Sequence, residues 1–191
     1  MSWEGPVGLD AEVAQLRRGD LDALAALLAR YQNRLYRYLL RLVREPATAE
    51  DLFQQTWLRV AEKIRQYDAK RNFEAWLFSV ARNLAIDYLR RIKPESLDES
   101  SPSGVPLHPE LRSAAPPVLD GLVMQERNTR LGAALAELPV FYRDVLTLRF
   151  EEEMKLEEIA EVLGTPLSTV KTRLRRSLEG LKRTLEWYRG A

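Results

Sequence analysis

The sequence predicts an all-α protein: two small helical domains joined by a flexible linker, the second carrying a helix-turn-helix. Three observations carry that expectation. From Asp10 to Lys93 apolar residues recur at spacings of three and four, with glycine or proline only at Gly19 and Pro46, a pattern of amphipathic helices without β-like alternation. From Lys93 to Pro117 six of the ten prolines fall together with serine, glycine and the single histidine, His108, too little apolar surface to order itself. Helical spacing resumes near Leu119 and runs to Trp187, with breaks at Pro139, around Glu151 to Met154 and at Gly164 to Pro166. The expected division is therefore a first domain over 10–93, a linker over 94–118 and a second domain over 119–188.

Four helices are expected in the first block, at about Asp10 to Arg18, Leu21 to Arg44, Ala49 to Arg65 and Phe73 to Ile92. Asp20 suits the cap of the second, and Thr48 with Asp51 makes a capping-box-like start for the third. On the third helix Phe53, Trp57, Val60 and Ile64 share a face that predicts core. Asp51, Gln54, Gln55, Leu58 and Glu62 lie opposite. A leucine centred in a mildly acidic polar stripe suits a protein contact, although single exposed leucines are common.

The fourth helix has an expected core stripe of Phe73, Leu77, Val80 and Leu84, with Tyr88 at its margin. A second line, Trp76, Ser79, Asn83, Asp87 and Arg90, mixes an aromatic with amide, hydroxyl and charged groups. Unstacked bases need such a mixture, a plane to lie on and groups for their edges. A tryptophan here serves a core as well as a stacking platform, and the residues alone leave both open. Arg82, Arg91 and Lys93 are placed to meet phosphates. The loop Gln66 to Asn72 offers Tyr67, Asp68, Lys70 and Arg71, enough polar variety to hold a flipped base, and a plain helix connection explains it nearly as well.

In the second block Leu156 to Arg176 has the grammar of a helix-turn-helix. Ile159 and Leu163 make an apolar stripe, Ala160 is small where a second helix crosses, and Gly164 suits a positive-φ turn. Pro166 fits the first turn of the next helix, with Thr165 or Ser168 as its cap. Projected at 100° per residue, that helix puts Leu167, Val170, Leu174, Leu178, Leu181 and Leu185 on one stripe. Ser168, Thr172, Arg175, Arg176, Glu179 and Arg183 fall opposite. A helix with one face packed and a basic face free fits the major groove; Thr169 lies beside that face, and Lys171 and Arg173 flank it where phosphates lie. The charge pattern agrees: Glu137 to Glu161 holds eight acids against three bases, whereas Pro166 to Arg183 holds six bases against one acid. A formal net charge of +1 thus hides a basic element suited to a polyanion. The motif specifies duplex DNA and is shared by many repressors and activators.

Several function classes are excluded by composition. With no cysteine and one histidine, disulfides, cysteine nucleophiles and Cys- or His-rich metal sites are ruled out. There is no Walker loop and no acid cluster placed for two magnesium ions, so a nucleic-acid enzyme is not expected, nor is any cofactor. No apolar run approaches the roughly 18 residues of a membrane span, and Met1 to Ala11 lacks the pattern of a signal peptide. The expected compartment is the cytoplasm.

Two runs of sequence now point to a family. Asp51-Leu-Phe-Gln-Gln-Thr-Trp-Leu-Arg-Val60 followed by Phe73-Glu-Ala-Trp-Leu-Phe-Ser-Val-Ala-Arg-Asn-Leu-Ala-Ile-Asp-Tyr-Leu-Arg-Arg91 closely resembles region 2 of the extracytoplasmic-function (ECF) sigma factors of the sigma-70 family. Leu138 to Phe150 and then Leu156 to Leu174 resemble their region 4. The resemblance implies a non-catalytic subunit that directs core RNA polymerase to promoters and promotes DNA melting. It implies that Asp51, Gln54, Gln55 and Leu58 bind the clamp helices of the β′ subunit. It implies that the melted non-template strand of the minus-ten element meets the first block at Tyr67, Asp68, Lys70, Arg71, Trp76, Ser79, Asn83, Asp87, Arg90 and Arg91. Duplex minus-thirty-five DNA would meet Ser168, Thr169, Lys171, Thr172, Arg173, Arg175 and Arg176, with the β flap tip touching the same block. The linker would thread toward the RNA exit path, and an anti-sigma protein is a further partner to expect. Free duplex binding at moderate salt without polymerase would instead mark a stand-alone regulator of the LuxR-like type.

Overall fold

The computed structural model describes residues 8–92 and 131–190; the linker, Trp3, Lys93 and His108 lie outside them. The order is α1 (Leu9–Arg17), α2 (Leu21–Val43), α3 (Pro46–Lys63), a 3-10 turn (Ile64–Gln66) and α4 (Phe73–Ile92). After the gap come a helical segment over 131–137, α5 (Val140–Leu146) running into a π-turn (Thr147–Glu151), α6 (Leu156–Leu163) and α7 (Leu167–Gly190). The described residues form two helical modules, as the periodicity predicts.

Helix α2 is the spine of the first module. Ala23, Leu27, Tyr31, Leu35, Tyr38, Leu39 and Leu42 are buried along it, a stripe at the three- and four-residue spacing that a helix needs to keep one face in the core. Its start is set by Asp20, whose side chain accepts a hydrogen bond from the Asp22 amide at 2.9 Å. Gly19 immediately before it has φ +93°, a turn conformation that glycine adopts without steric cost. Helix α1 lays Leu9, Val13 and Leu16 onto the spine, and α3 and α4 complete the bundle.

The start of α3 corrects the expected one. It begins at Pro46, and the Glu45 side chain accepts from the amides of Ala47 and Thr48. Thr48 is thus inside the first turn and is no cap. Proline at the first helical position needs no amide partner, and the carboxylate takes the next two amides. The core face of α3 is Ala49, Leu52, Thr56, Trp57 and Val60; Phe53 is only half-buried. Thr56 is tolerated inside because its hydroxyl donates to the Leu52 carbonyl at 2.7 Å.

Helix α4 departs further from expectation. Its buried residues are Phe73, Ala75, Leu77, Phe78, Ala81, Arg82, Ala85 and Ile86, whereas Val80, Leu84 and Tyr88 are half-buried. A single stripe assumes one packed face. Here one side faces the bundle and another faces α6 of the second module, so small alanines line the crowded positions.

The second module is built around Leu148, Met154, Ile159, Val162 and Val170, all nearly inaccessible. Gly164 has φ +60° and turns the chain from α6 into α7 as the sequence suggests. The expected caps of α7 are not made: the Thr165 hydroxyl is buried without a hydrogen-bond partner, and Ser168 lies within the helix. The Pro166 carbonyl instead accepts from the amides of Thr169 and Val170 at 2.9 and 3.2 Å. A side chain on Gly180 would place its Cβ 3.1 Å from Leu138 Cδ2, so the leucine would have to shift by a few tenths of an ångström to admit it. Leu178, expected in the packed stripe, is 43% exposed.

Two substitutions test this framework by equilibrium urea unfolding. Leu35→Ala, at a position with no exposure, is expected to cost about 2–5 kcal/mol. Asp20→Ala should cost about 0.5–2 kcal/mol through the lost cap; an Asp20→Ala protein as stable as the parent would remove that cap from the account.

Candidate nucleic-acid interface

Helix α7 presents the most complete site. Ser168, Lys171, Thr172, Arg175, Arg176 and Arg183 are exposed, while Val170, Ser177 and Gly180 are buried on the other side. The arrangement places hydroxyls and guanidinium groups on one outward face of the second helix of a helix-turn-helix. Arg175 pairs with Glu179 at 2.8 Å, and the Thr172 hydroxyl donates to the Ser168 carbonyl at 3.0 Å. Both are surface contacts of small net worth that a DNA group can displace. Arg173 is turned away from this set. It is half-buried and its guanidinium stacks over Phe141 at 5.7 Å, a cation–π contact that fixes it as a flank residue against α5. Thr169 is half-buried beside it.

The second surface is α4 with the loop 66–72. Asn83, Asp87, Arg90 and Arg91 are exposed along the outer side of α4, and Trp76 and Ser79 are half-buried at its start. Trp76 lies 5.0 Å from Tyr67 and 5.7 Å from Phe73 between ring centroids, so it is part of an aromatic cluster and partly open at the same time. Ser79 donates to the Trp76 carbonyl at 2.7 Å. In the loop, Asp68 and Lys70 are exposed, and the Asp68 carboxylate accepts from the Lys70 amide at 3.0 Å.

Two of the residues expected to meet DNA are buried in this structure. Tyr67 is 5% exposed, and its hydroxyl donates to the Arg71 carbonyl. Burial, with the carboxylates of Asp10, Glu161 and Asp68, pushes that hydroxyl up to about 12. The aromatic ring is held under the loop by Phe73 and Trp76, and it is a floor with no edge to offer a base. Arg82, expected to meet phosphates, is 8% exposed and its Nε donates to Asp144 Oδ2 at 2.6 Å.

Asp144 belongs to a third arrangement that the sequence reading missed. Its carboxylate has no exposure; it also accepts from the Tyr38 hydroxyl at 2.8 Å. Burial, and then the Asp144 charge, hold the Tyr38 hydroxyl well above its ordinary range. Nearby, Arg34 reaches Glu74 within its own module and Glu152 across the junction, the latter at 2.8 Å. Burial works against the Arg34 cation, and the two carboxylates outweigh it, so its pKa rises. Burial raises Glu152 against the opposing charge of Arg34. At the margins Arg41 pairs with Glu151 at 2.9 Å and Arg71 with Glu161 at 2.6 Å. Asn72 both accepts from the Ala75 amide at 3.1 Å, capping α4, and donates to Glu158 at 2.9 Å. Arg143 is buried without a hydrogen-bonded carboxylate: it donates to the carbonyls of Ala136 and Leu42 at 3.0 and 3.1 Å. Burial, then the charge of Arg44, bring its pKa down to about 10. The acid excess of 137–161 was the one visible signal for this junction.

The third exposed set is on α3. Asp51, Gln54, Gln55 and Leu58 all face outward, and Leu58 is 66% exposed. None of the four carries a core role.

Comparison with known proteins joins these surfaces to a family. Residues 27–94 match the family described as Sigma-70 region 2, and residues 128–181 match that described as Sigma-70, region 4. The chain is 31% identical over 176 residues to the ECF RNA polymerase sigma factor SigW of Bacillus subtilis (strain 168), covering 91% of this chain and 94% of that protein. It is 33% identical over 152 residues to the ECF sigma factor SigM of the same organism, covering 80% and 88%. Its fold is similar to that of CnrH solved in complex with the cytosolic domain of CnrY, with a TM-score of 0.69 at 22% identity, covering 93% and 96%. It is also similar to that of the sigma factor RpoE solved with the anti-sigma factor NepR from Bartonella quintana, with a TM-score of 0.65 at 23% identity, covering 85% and 96%. With both sigma-70 regions matched in order and relatives of this similarity along nearly the whole chain, the protein belongs to the extracytoplasmic-function RNA polymerase sigma factors of the sigma-70 family, which act in transcription initiation.

Proposed function

We propose that three surfaces of this chain divide the work of promoter recognition, and that the outward face of α7 is the one that reads duplex minus-thirty-five DNA. The observation that carries the reading is the placement of Ser168, Lys171, Thr172, Arg175 and Arg176 on one exposed side of α7. A helix of this kind enters the major groove with its outer residues toward base edges, where arginine pairs bidentately with guanine. Lys171 and Arg173 approach phosphates from the flanks, and Thr169 supports them.

The melted minus-ten strand is assigned to Asn83, Asp87, Arg90 and Arg91 on α4, with Trp76 and Ser79 at its start and Asp68, Lys70 and Arg71 in the loop. Tyr67 supports the loop from below. Flipped bases cost a few kcal/mol each in lost stacking and pairing. A partly open tryptophan, amide and carboxylate edges and two terminal arginines offset that cost, and open promoter is favoured because only it offers unstacked bases to bind. Asp51, Gln54, Gln55 and Leu58 form the contact with the β′ clamp helices, and the second module touches the β flap tip. No bond is made or broken by the chain itself. Among the described residues no helix is long and apolar enough to cross a membrane, and the chain acts where the polymerase is, in the cytoplasm. The sigma factor RpoE, solved with the anti-sigma factor NepR, supports an anti-sigma protein as a partner here too.

Run-off transcription with purified core polymerase on a promoter library tests the whole proposal, since a chain of this function must select start sites. Arg176 makes no ion pair with any described residue, so Arg176→Ala should weaken minus-thirty-five discrimination by about 1–3 kcal/mol without a change in melting temperature. Equal use of matched and mismatched promoters by the parent and the variant would withdraw Arg176 from base reading. Leu58→Asp, on an already solvated position, should reduce co-elution with core polymerase while leaving the thermal transition unchanged. Normal assembly would move the polymerase contact off α3.

A further inference from the structure

We infer that Phe141 is a positioning residue for duplex DNA: its ring holds the Arg173 guanidinium at the edge of the reading face as a preset clamp on the phosphate backbone. This role rests on the minus-thirty-five reading above and adds to it a residue outside α7. Arg173 differs from the other cations of that reading face. Lys171, Arg175 and Arg176 are exposed, whereas Arg173 is half-buried and its guanidinium lies over the Phe141 ring, 5.7 Å from the centroid. It differs equally from the interior arginines. Arg82 and Arg143 are 8% and 6% exposed, and they direct donors to Asp144 and to backbone carbonyls. Arg173 stands between these two kinds, on the border of packed and open surface.

The border position follows from the two helices. Thr169, Arg173 and Ser177 follow one another at a spacing of four along one side of α7; the first two are half-buried and the third has no exposure. The Ser177 hydroxyl donates to the Arg173 carbonyl at 2.7 Å, so this side of the helix is seated. The ring is seated as well. Phe141 stands in the first turn of α5, where the amides of Tyr142 and Arg143 donate to the Pro139 carbonyl at 3.0 and 3.1 Å. It is half-buried and packs against the apolar core, its neighbours Val140 and Val145 are buried, and α5 packs along α7. A ring carried in this way cannot follow a moving arginine, so the arginine is the partner that is restrained.

The chemistry of the contact suits a phosphate. A guanidinium is planar and its N–H groups radiate in that plane, so a ring contact engages the face and leaves the fork that pairs bidentately with phosphate oxygens. An arginine on a free stem loses side-chain freedom when it takes up a ligand, and one already laid on a ring loses less. The neighbouring pair on α7 makes the contrast. Arg175 is held by the Glu179 carboxylate at 2.8 Å, an acceptor that competes with DNA for the same donors and must be exchanged. The Phe141 ring accepts no such bond and need not be displaced. Phosphate contacts fix the register of a protein on the duplex and carry no base information. Phe141 therefore acts on affinity and register, and the choice of bases is left to the exposed residues of the reading face.

A double-mutant cycle on the full chain assembled with core polymerase tests this, with binding to matched and scrambled minus-thirty-five duplexes followed by fluorescence anisotropy over a salt series. Arg173→Ala should weaken binding and make the slope of log affinity against log salt shallower by about 0.9, the share of one phosphate contact. Phe141→Leu should weaken binding about two- to five-fold, the worth of a surface cation–π contact, equally on both duplexes and with the parent slope, because the charge of Arg173 is still there. In the Arg173→Ala background Phe141→Leu should cost nothing more, and Phe141→Tyr, which keeps a ring, should bind as the parent does. Arg173→Lys leaves Phe141 in place and so reads the contact even where Phe141→Leu unfolds the module: it should keep the slope and still lose affinity, since an ammonium has no plane to lay on the ring. An equal loss from Phe141→Leu with and without Arg173 would overturn the inference and leave Phe141 a packing residue. So would a parent slope in Arg173→Ala, parent affinity in Arg173→Lys, or a gain of affinity in Phe141→Leu, which would show the ring keeping Arg173 away from DNA. If the parent binds matched and scrambled duplexes alike, the minus-thirty-five reading falls instead, and the coupling of Phe141 to Arg173 is still decided on either duplex.

Discussion

The Asp144 carboxylate organises the molecule. It has no exposure, and it accepts a hydroxyl from α2 and a guanidinium from α4, so one side chain of α5 is bonded to two helices of the other module. A buried carboxylate is costly unless its oxygens are satisfied, and each oxygen here has a donor. That requirement sets the register of α5 against α2 and α4. The ion pairs of Arg34, Arg41 and Arg71 follow along the same junction, and the Arg143 guanidinium adds a bond from α5 to the Leu42 carbonyl near the end of α2.

From this junction comes the unusual burden on α4. One side of the helix is bundle core, a second faces α6, and only the remaining side, with Asn83, Asp87, Arg90 and Arg91, is open. The aromatic cluster of Tyr31, Tyr67, Phe73 and Trp76 anchors its start. The same cluster fixes the loop from beneath, because Tyr67 is tied by its hydroxyl to the Arg71 backbone. Loop residues assigned to DNA are therefore held on a rigid floor, a placement that lowers the ordering cost of binding.

Helix α7 is under a lighter constraint. Its inner side sets Val170, Ser177 and Gly180, with Leu174 partly buried beside them, against the rest of the module, and the buried Ser177 hydroxyl donates to the Arg173 carbonyl within its own helix. The outer side is left to polar residues. The contrast between the two nucleic-acid surfaces is physical: α7 has its whole outer face free, whereas α4 is packed on two sides and Arg71 of its loop is paired with Glu161.

The sequence by itself determined the helices, the Asp20 cap, the turn at Gly164, the solvent faces of α3 and α7 and the family, because periodicity, turn residues and motif runs are local. It erred where two local solutions compete, as at Glu45 and Pro46 against Thr48, or where one helix is packed on two sides, as in α4. Only the tertiary structure decided that Arg82 and Tyr67 are interior groups and that Arg34 and Arg71 reach across to acids. Those partners stand far apart along the chain, 62 residues for Arg82 with Asp144 and 118 for Arg34 with Glu152. An arginine next to an exposed helix face reads the same in sequence whether its counter-charge is a phosphate or a carboxylate of another module, and only packing chooses between them.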